Sequence, residues 1–374
     1  MNAEAASNIP EKRRPARKVR RVVKRLSISV VVFALVMVAG LLIFRAYERH
    51  RVRQATKITS PPGVESLEAV TLGGIEQWIL IRGRDRSKPL MLVVHGGPGV
   101  SEMLFSHRNA ELEKEFVVVQ WDQRGAGKSY APDTPRDSMN VEQFVADTHE
   151  LSQLLTARFH TPKLYLVGVS WGSILATLTA SRYPELFHAC VGVGQVADVK
   201  ESQRILYRFA MEAAERAGNR RAIADLTKLG PVFMESADHM RVCRWISRLT
   251  ADQYPGIPRW ELLRDAIGSP SYDIADFWKL YRGMKFSIDC LWRPLNDVNL
   301  FEQAPRIEVP VYFFLGRHDY VVTSEVAERY FHALDAPRGK QIVWFEKSGH
   351  MPHLEEPEKY RAALIGKVLA ETRR

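Results

Sequence analysis

Short apolar runs alternate with amphipathic segments along most of the chain. Six runs are nearly continuous in apolar residues, which is typical of strands buried on both faces of a parallel sheet: 89–96, 116–121, 164–169, 188–196, 309–316 and 342–346. The segment 68–83 instead predicts a hairpin that turns at Gly73-Gly74. Asn140 is placed to cap an amphipathic helix that begins at Val141. Strands that alternate with helices predict a doubly wound, mostly parallel sheet.

The alternation stops between residues 199 and 298. This stretch has a helical pattern and no buried-strand run. We therefore predict a helical cap at 199–298, inserted between a first core part at 67–198 and a second at 299–374, which ends in a helix at about 357–372. Such an insertion would lie over the carboxyl ends of the strands, where open α/β sheets bind ligands.

A different pattern occupies the N-terminus. Residues 26–44 form a run of 19 residues without a charge, long enough as a helix to cross a hydrocarbon core of about 30 Å. A cleaved signal peptide usually has an apolar region of only about 7–15 residues and a small-residue cleavage site, and no such site follows here. We predict a transmembrane anchor at 26–44, between a basic tail at 1–25 and a linker at 45–66.

Charge is distributed unevenly around this anchor. Residues 1–53 contain 13 Lys and Arg against 3 Asp and Glu, so the whole net charge of +10 lies there and the rest of the chain is formally neutral. A neutral body offers no basic face to nucleic acid. Nine cations precede the apolar run and five follow it closely. The positive-inside rule then places the N-terminus in the cytoplasm and the body on the extracytoplasmic side of the membrane.

Three cysteines leave two interpretations open. Cys243 and Cys290 could pair in an oxidising compartment, or all three thiols, with Cys190, could be buried as small apolar groups.

The segment Gly168–Gly172 has the pattern G-x-S-x-G. It follows an apolar strand and opens a helix of small residues, which is the context of a nucleophile elbow. The pattern marks Ser170 as a candidate nucleophile, with helix N–H groups behind it for a developing oxyanion.

A serine hydroxyl needs a base and an orienting carboxylate. His350 and Asp319 each follow a predicted sheet strand, in the chain order expected after an elbow serine. His318 and His353 are alternative bases, and Asp297 is an alternative acid. We predict a Ser170, His350 and Asp319 triad.

The segment His95–Gly99 is a glycine-rich loop after another strand. Glycines there let backbone N–H groups approach a substrate oxygen, so we predict an oxyanion hole formed by the N–H groups of Gly97 and Trp171. His95 is expected to shape the loop through a structural hydrogen bond.

Cofactor motifs do not fit the sequence. The segment 122–129 ends in Gly-Lys-Ser, but Asp122 stands where a phosphate-binding loop requires its first glycine. Metal-ligand spacings such as H-E-x-x-H do not occur. We expect neither a cofactor nor a metal.

Three motifs together resemble one family. HGGPG at 95–99, DQRGAGKS at 122–129 and GVSWGS at 168–173 look like the proline iminopeptidase (prolyl aminopeptidase) group of α/β hydrolases. The resemblance covers about residues 67–198 and 300–370, and departs at Val100 and Val169, where the group often has glycine. It implies the α/β-hydrolase fold, a triad carried onto Ser170, Asp319 and His350, no cofactor, and removal of an N-terminal residue, typically proline, from peptides.

The cap bears on the substrate. Enzymes of the group bind the free amine of the substrate with cap carboxylates, and the candidates here are Glu201, Glu212, Glu235 and Glu261, with Glu261 matching the group's motif only faintly. The alternatives are an esterase or amidase acting on a small acyl substrate with the same triad, and a non-catalytic binding protein on this fold. The sequence predicts no oligomeric state.

Overall fold

The computed structural model describes residues 15–250 and 256–372. An eight-stranded sheet forms the centre, in the order β1-β2-β4-β3-β5-β6-β7-β8. The strands are β1 Val64–Leu72, β2 Ile75–Gly83, β3 Leu90–Val94, β4 Val117–Asp122, β5 Leu164–Val169, β6 Phe187–Val193, β7 Val311–Gly316 and β8 Lys340–Phe345.

The predicted hairpin and parallel sheet are both confirmed. β1 and β2 pair antiparallel around the Gly73-Gly74 turn, and β2 pairs antiparallel with β4. Strands β3 to β8 are mutually parallel. Every residue of β3, β4, β5 and β7 is buried, which explains why these strands lack an alternating pattern in the sequence.

Helices cover both faces of the sheet, and others form the N-terminal segment and the insertion between β6 and β7. They are α1 Pro15–Ala55, α2 Val141–Phe159, α3 Trp171–Arg182, α4 Val199–Arg216, α5 Arg220–Leu229, α6 Ser236–Leu249, α7 Arg259–Gly268, α8 Ile274–Leu295, α9 Leu300–Gln303, α10 Ser324–Ala333, α11 Pro352–Glu355, α12 Pro357–Ala363 and α13 Ala370–Thr372.

Two apolar layers result from this arrangement. Along β5, Leu164 and Leu166 pack into the layer beneath α2, α3 and α10. Tyr165 and Val167 face the opposite layer, which α12 and the π-helical turn Leu364–Leu369 complete. At the start of α2, the Asn140 side chain accepts a hydrogen bond from the N–H of Gln143 at 2.9 Å, as an N-cap does.

Helices α4–α8 form the cap between β6 and β7. Within the described part of this insertion, the cap has an apolar cluster of its own that includes Leu206, Phe233, Val242 and Ile246. The chain returns to the core at Asn299, which pairs with Asp198 in an isolated bridge.

The N-terminal helix differs from the expected division into tail, anchor and linker. Residues 1–14 of the tail predicted at 1–25 lie outside the described residues, and α1 then runs unbroken to Ala55. A linker was expected at 45–66, but α1 occupies its first half and β1 begins at Val64. The charged residues after Phe44 stay helical because they find partners on the cap, where Arg45 is 8% and Glu48 3% exposed.

The apolar part of α1 is fully exposed. Val22–Ala55 is long and apolar enough to cross a membrane, with a mean hydropathy of 2.9 and no burial over its most apolar window.

The three cysteines all lie within the described ranges and are free. Burial raises the pKa of the Cys190 and Cys243 thiols to about 12, so both groups are neutral thiols. The interpretation as apolar packing groups fits this structure, and pairing of Cys243 with Cys290 does not occur in it.

Candidate active site

Ser170 lies on a strained turn between β5 and α3. Its φ of 52° and ψ of −119° are values that a residue with a Cβ rarely adopts. The turn requires glycine at positions 168 and 172. A Cβ on Gly168 would lie 2.2 Å from the carbonyl oxygen of Gly172, and a Cβ on Gly172 would lie 2.0 Å from the carbonyl oxygen of Val94. The sequence pattern and the backbone therefore agree on a raised serine at the carboxyl end of β5.

A chain of hydrogen bonds joins the three residues that the sequence singled out. The His350 Nε2 atom is 2.8 Å from the Ser170 hydroxyl, and His350 Nδ1 is 2.9 Å from Asp319 Oδ2. The other carboxylate oxygen of Asp319 accepts hydrogen bonds from the N–H groups of Val321 and Val322, at 2.9 and 3.1 Å. Residues separated by up to 180 positions thus meet above the carboxyl ends of β5, β7 and β8.

The surroundings shift the pKa values of both Asp319 and His350. Burial alone favours the neutral form of each, but the two groups face each other as an ion pair. The pKa of Asp319 is held below its ordinary value by His350 and by two backbone N–H groups, despite its burial. The pKa of His350 is raised above 6.5 because Asp319 outweighs the effect of burial.

The glycine-rich loop is tied to the elbow by Gln123. Its amide group donates to the carbonyl of His95 at 2.9 Å, and its amide oxygen accepts from the indole N–H of Trp171 at 2.9 Å. The backbone N–H of Gln123 also donates to His95 Nε2 at 3.2 Å. His95 is fully buried and burial lowers its pKa, so it is a neutral group within this network, as expected of a structural residue.

A small cavity of about 70 Å³ opens beside Ser170. The two residues predicted for the oxyanion hole, Gly97 and Trp171, line it together with the serine. Trp171 is the first residue of α3, and the first N–H groups of a helix have no partner inside the helix. The other lining residues come from the β6–α4 connection, the cap and the loop after Asp319: Val196, Val199, Ser202, Gln203, His239, Trp292, Leu295, Val321 and Val322.

The four cap carboxylates considered for amine binding do not line this cavity. Each has a cationic neighbour elsewhere: Glu201 bridges to Arg204 and Arg329, Glu212 to Arg216, Glu235 to Arg293, and Glu261 lies 3.9 Å from Arg108. The structure therefore does not bring these candidate amine-binding carboxylates to the cavity beside Ser170.

The alternative bases and acid lie apart from the serine. His353 Nε2 is 3.5 Å from a Glu102 carboxylate oxygen and its ring contacts Tyr360. Asp297 pairs with Lys200 at the surface, with 81% of its side chain exposed. The backbone N–H of His318 donates to the carbonyl of Ser348, while its neighbour Asp319 carries the contact with His350.

The sequence did not reveal a contact between Asp122 and the cap residue Tyr272. The hydroxyl of the buried cap residue Tyr272 donates to the carboxylate of Asp122, at 2.6 and 2.8 Å, and lies 2.6 Å from the Ser101 hydroxyl. Asp122 also accepts from the N–H of Lys128, so this carboxylate joins the cap to the segment 122–129. Tyr272 lies 150 positions from Asp122, and no local pattern signals such a contact.

The described residues contain no group of three or more His, Cys, Asp or Glu side chains that could hold a metal ion.

Comparisons with known proteins agree with this architecture. The alpha/beta hydrolase fold family matches residues 89–357. A probable aminopeptidase, YbaC of Bacillus subtilis, is 33% identical over 312 residues, which cover 82% of this chain and 97% of that protein. The proline iminopeptidase of Lactobacillus helveticus is 24% identical over 305 residues, covering 78% of this chain and 93% of the relative.

A solved structure of a membrane phospholipase A superposes with a TM-score of 0.60 at 21% identity, covering 95% of this chain and 99% of that one. At that identity the likeness concerns the fold.

The resemblance seen in the sequence motifs is thus confirmed by relatives matched over most of their length. This chain belongs to the alpha/beta hydrolase fold family and is similar to aminopeptidases and proline iminopeptidases within it.

Proposed function

We propose that this chain is a membrane-anchored serine hydrolase that cleaves through an acyl-enzyme formed on Ser170. The observation that carries the proposal is the continuous hydrogen-bonded chain from Ser170 through His350 to Asp319. Such a chain gives a hydroxyl the base it needs, and gives that base a fixed tautomer.

The proposed reaction has two halves. The Ser170 oxygen attacks the acyl carbonyl while its proton passes to His350 Nε2, and Asp319 stabilises the imidazolium that forms. The N–H groups of Gly97 and Trp171 bind the oxyanion. The leaving group takes the proton from His350, and a water molecule, deprotonated by the same nitrogen, then releases the acyl group.

The leading substrate class is a peptide with a small N-terminal residue. Similarity to aminopeptidases and proline iminopeptidases supports this class. The volume of about 70 Å³ beside Ser170 also favours a small acyl part.

One observation favours a second class, small uncharged esters or amides. Among the described residues no carboxylate lines the cavity, and burying an ammonium without an anionic partner is costly. Among the described lining residues, the one buried side-chain nitrogen or oxygen without a hydrogen-bond partner is Nδ1 of His239. Burial and then the charge of His350 lower the pKa of His239 to about 4, so its ring is neutral.

The tautomer of His239 follows from its neighbour. The Cys243 thiol donates to the carbonyl of Tyr320 at 3.7 Å, and its sulfur lies 3.5 Å from His239 Nε2. With the thiol proton engaged, the sulfur accepts from Nε2–H, which leaves Nδ1 as a buried acceptor on a side chain that lines the cavity. A neutral acceptor suits a substrate N–H or O–H better than it compensates a full positive charge.

Paired chromogenic substrates separate the two classes. The full chain and Ser170→Ala are compared on prolyl and alanyl arylamides with free amines, on their N-blocked forms, and on short acyl esters. Cleavage of the free-amine arylamides alone supports the aminopeptidase, and cleavage of blocked amides or esters alone supports the second class. Failure of a fluorophosphonate probe to label Ser170 in the folded protein would contradict both and leave a non-catalytic binding protein.

The proposed anchor is the exposed apolar part of α1. It is supported by the 19 uncharged residues at 26–44 and by the absence of any burial over the most apolar window. The cationic excess before the apolar run supports an N-terminus in the cytoplasm and a catalytic body on the other side. Resistance of the membrane-bound chain to alkaline extraction tests the anchor, and protease digestion of sealed vesicles of known sidedness tests the orientation.

A further inference from the structure

The end of α1 is fixed firmly to the cap. The Arg45 guanidinium donates to the carbonyls of Ile267 and Tyr272, at 2.7 and 2.6 Å, and lies 5.0 Å from the centre of the Phe277 ring. Arg49 pairs with Asp273 at 2.8 Å. These contacts are made by a buried arginine and several backbone carbonyls, so they hold α7 and α8 at a fixed position relative to α1.

Close packing supports the same joint. Glu48 is 3% exposed and pairs with Arg264 of α7 at 3.1 Å. Val52 is 4% exposed, and a Cβ on Gly268 would lie 3.3 Å from the Glu48 side chain and 3.6 Å from that of Val52. The absence of a side chain at Gly268 lets the two helices approach.

The contacts also set the height of α8 along α1. Arg49 meets Asp273 and Arg45 meets Phe277, so four residues forward on α8 correspond to four residues back on α1. The start of α8 therefore lies beside the end of α1, close to the point where the apolar segment ends at Phe44. Arg45, whose guanidinium lies over the Phe277 ring, directly follows that apolar segment.

The same two helices carry exposed apolar side chains. We call these side chains together the cap face: Trp260 and Leu263 on α7, and Ile274, Trp278 and Tyr281 on α8, which are 53–63% exposed. The spacings of three and four residues place the side chains of each helix on one side of it. Of the nine exposed large apolar side chains described outside α1, these are five.

The composition of the cap face fits one kind of partner. Trp and Tyr are enriched where a membrane meets water, because their rings are apolar and their N–H or O–H groups stay hydrated. Arg282 lies 5.6 Å from the Trp278 ring, which adds a cation beside the cap face. A water-facing surface would more commonly carry charged side chains at such positions.

We propose that the cap face rests in the surface of the same bilayer that α1 enters, so that the enzyme is held to the membrane at two places. This inference rests on the proposed anchor, since α1 sets the height of the cap face. Helix α8 extends from the cap face to the cavity beside Ser170, which its residues Trp292 and Leu295 line. One helix thus links the lipid surface to the catalytic cavity.

Tryptophan emission of the full chain in liposomes tests the proposal. Lipids brominated in their acyl chains quench only tryptophans that reach the bilayer. We expect quenching in the wild type and loss of most of the quenched component in a Trp260→Phe, Trp278→Phe double variant. Trp344→Phe, which alters a residue of β8 far from α1 in sequence, is the matched control and should keep it. Thermal unfolding confirms that each variant is folded, as expected for the exposed Trp260 and Trp278 and for a Trp-to-Phe change at the partly buried Trp344.

Two results would overturn the inference. Equal quenching of the wild type and the double variant, in protein that floats with the vesicles, leaves the anchor intact and removes the cap face from the bilayer. If Trp260 and Trp278 are instead shielded from aqueous acrylamide but not reached by brominated lipid, in a chain that migrates as a dimer, a second copy covers the cap face. A chain that does not float with vesicles at all contradicts the anchor itself, which is a separate failure.

Discussion

Replacing Asp319 with Asn should remove activity by changing the tautomer of His350 while leaving the geometry in place. In the wild type, one oxygen of Asp319 accepts two backbone N–H groups and the other faces His350 Nδ1 at 2.9 Å. The two backbone donors require an acceptor, so the Asn side chain must direct its oxygen to them and its NH₂ group towards His350.

The consequence for His350 follows from counting protons. An NH₂ group facing Nδ1 requires Nδ1 to accept, so the ring proton moves to Nε2, the atom 2.8 Å from the Ser170 hydroxyl. A protonated Nε2 cannot take the serine proton. By analogy with the same substitution in a serine protease, we expect kcat/KM to fall by about 10⁴, equivalent to about 5 kcal/mol.

The assay does not depend on the natural substrate. The second-order rate of fluorophosphonate labelling of Ser170 and the hydrolysis of a short 4-nitrophenyl ester are compared for the full chain, Asp319→Asn and Asp297→Asn. Asp297 is the alternative acid of the sequence and is paired with Lys200 at the surface, so its variant should match the wild type. Retention of kcat/KM within about tenfold in Asp319→Asn, against the 10⁴ expected, would refute the reasoning, as would an equal loss in Asp297→Asn.

Three further results are expected. The pH profile of kcat/KM should rise with pH through a midpoint above 6.5, because His350 works unprotonated and Asp319 raises its pKa; a midpoint below 6.5 would contradict the ion pair. Gly172→Ala places a Cβ 2.0 Å from the Val94 carbonyl oxygen and should lower stability by about 1–3 kcal/mol or more, measured by thermal unfolding. Gly366→Ala, whose Cβ meets nothing within 4 Å, is its matched control and should not destabilise. His239→Leu removes the Nδ1 acceptor of a side chain that lines the cavity and should raise KM for amide substrates by up to about tenfold, as for one lost hydrogen bond. Unchanged fluorophosphonate labelling of Ser170 shows that the triad is intact. An unchanged KM would exclude contact between Nδ1 and the substrate.

Local sequence was sufficient where the physical constraint is itself local. The elbow could be recognised because its motif lies within five residues, and a Cβ on Gly168 is excluded by Gly172 of the same motif. The clash that excludes a Cβ on Gly172 comes instead from Val94, which only the folded chain brings close. The buried strands could be recognised because a strand covered on both faces needs apolar residues at every position. The order of Ser170, Asp319 and His350 then followed from strand ends that share one edge of a parallel sheet.

The cap could not be predicted to the same depth. Its helices carry carboxylates at many positions, and whether one reaches Ser170 depends on how the helices cross, which no periodicity reports. Glu261 was a candidate amine ligand by sequence, yet it lies by Arg108, while His239, which carried no motif, lines the cavity. The contact between Asp122 and Tyr272 was missed for the same reason, since a single tyrosine in a loop has no pattern to mark its partner.

The boundary of the anchor illustrates the division most simply. The sequence by itself determined that residues 26–44 are apolar enough to cross a bilayer, because hydrocarbon excludes charge whatever the rest of the chain does. It could not determine that the charged residues after Phe44 continue the helix. That outcome depends on Arg45, Glu48 and Arg49 finding partners more than 200 residues away in α7, α8 and the loop between them, and contacts over such a distance arise only when the chain is folded.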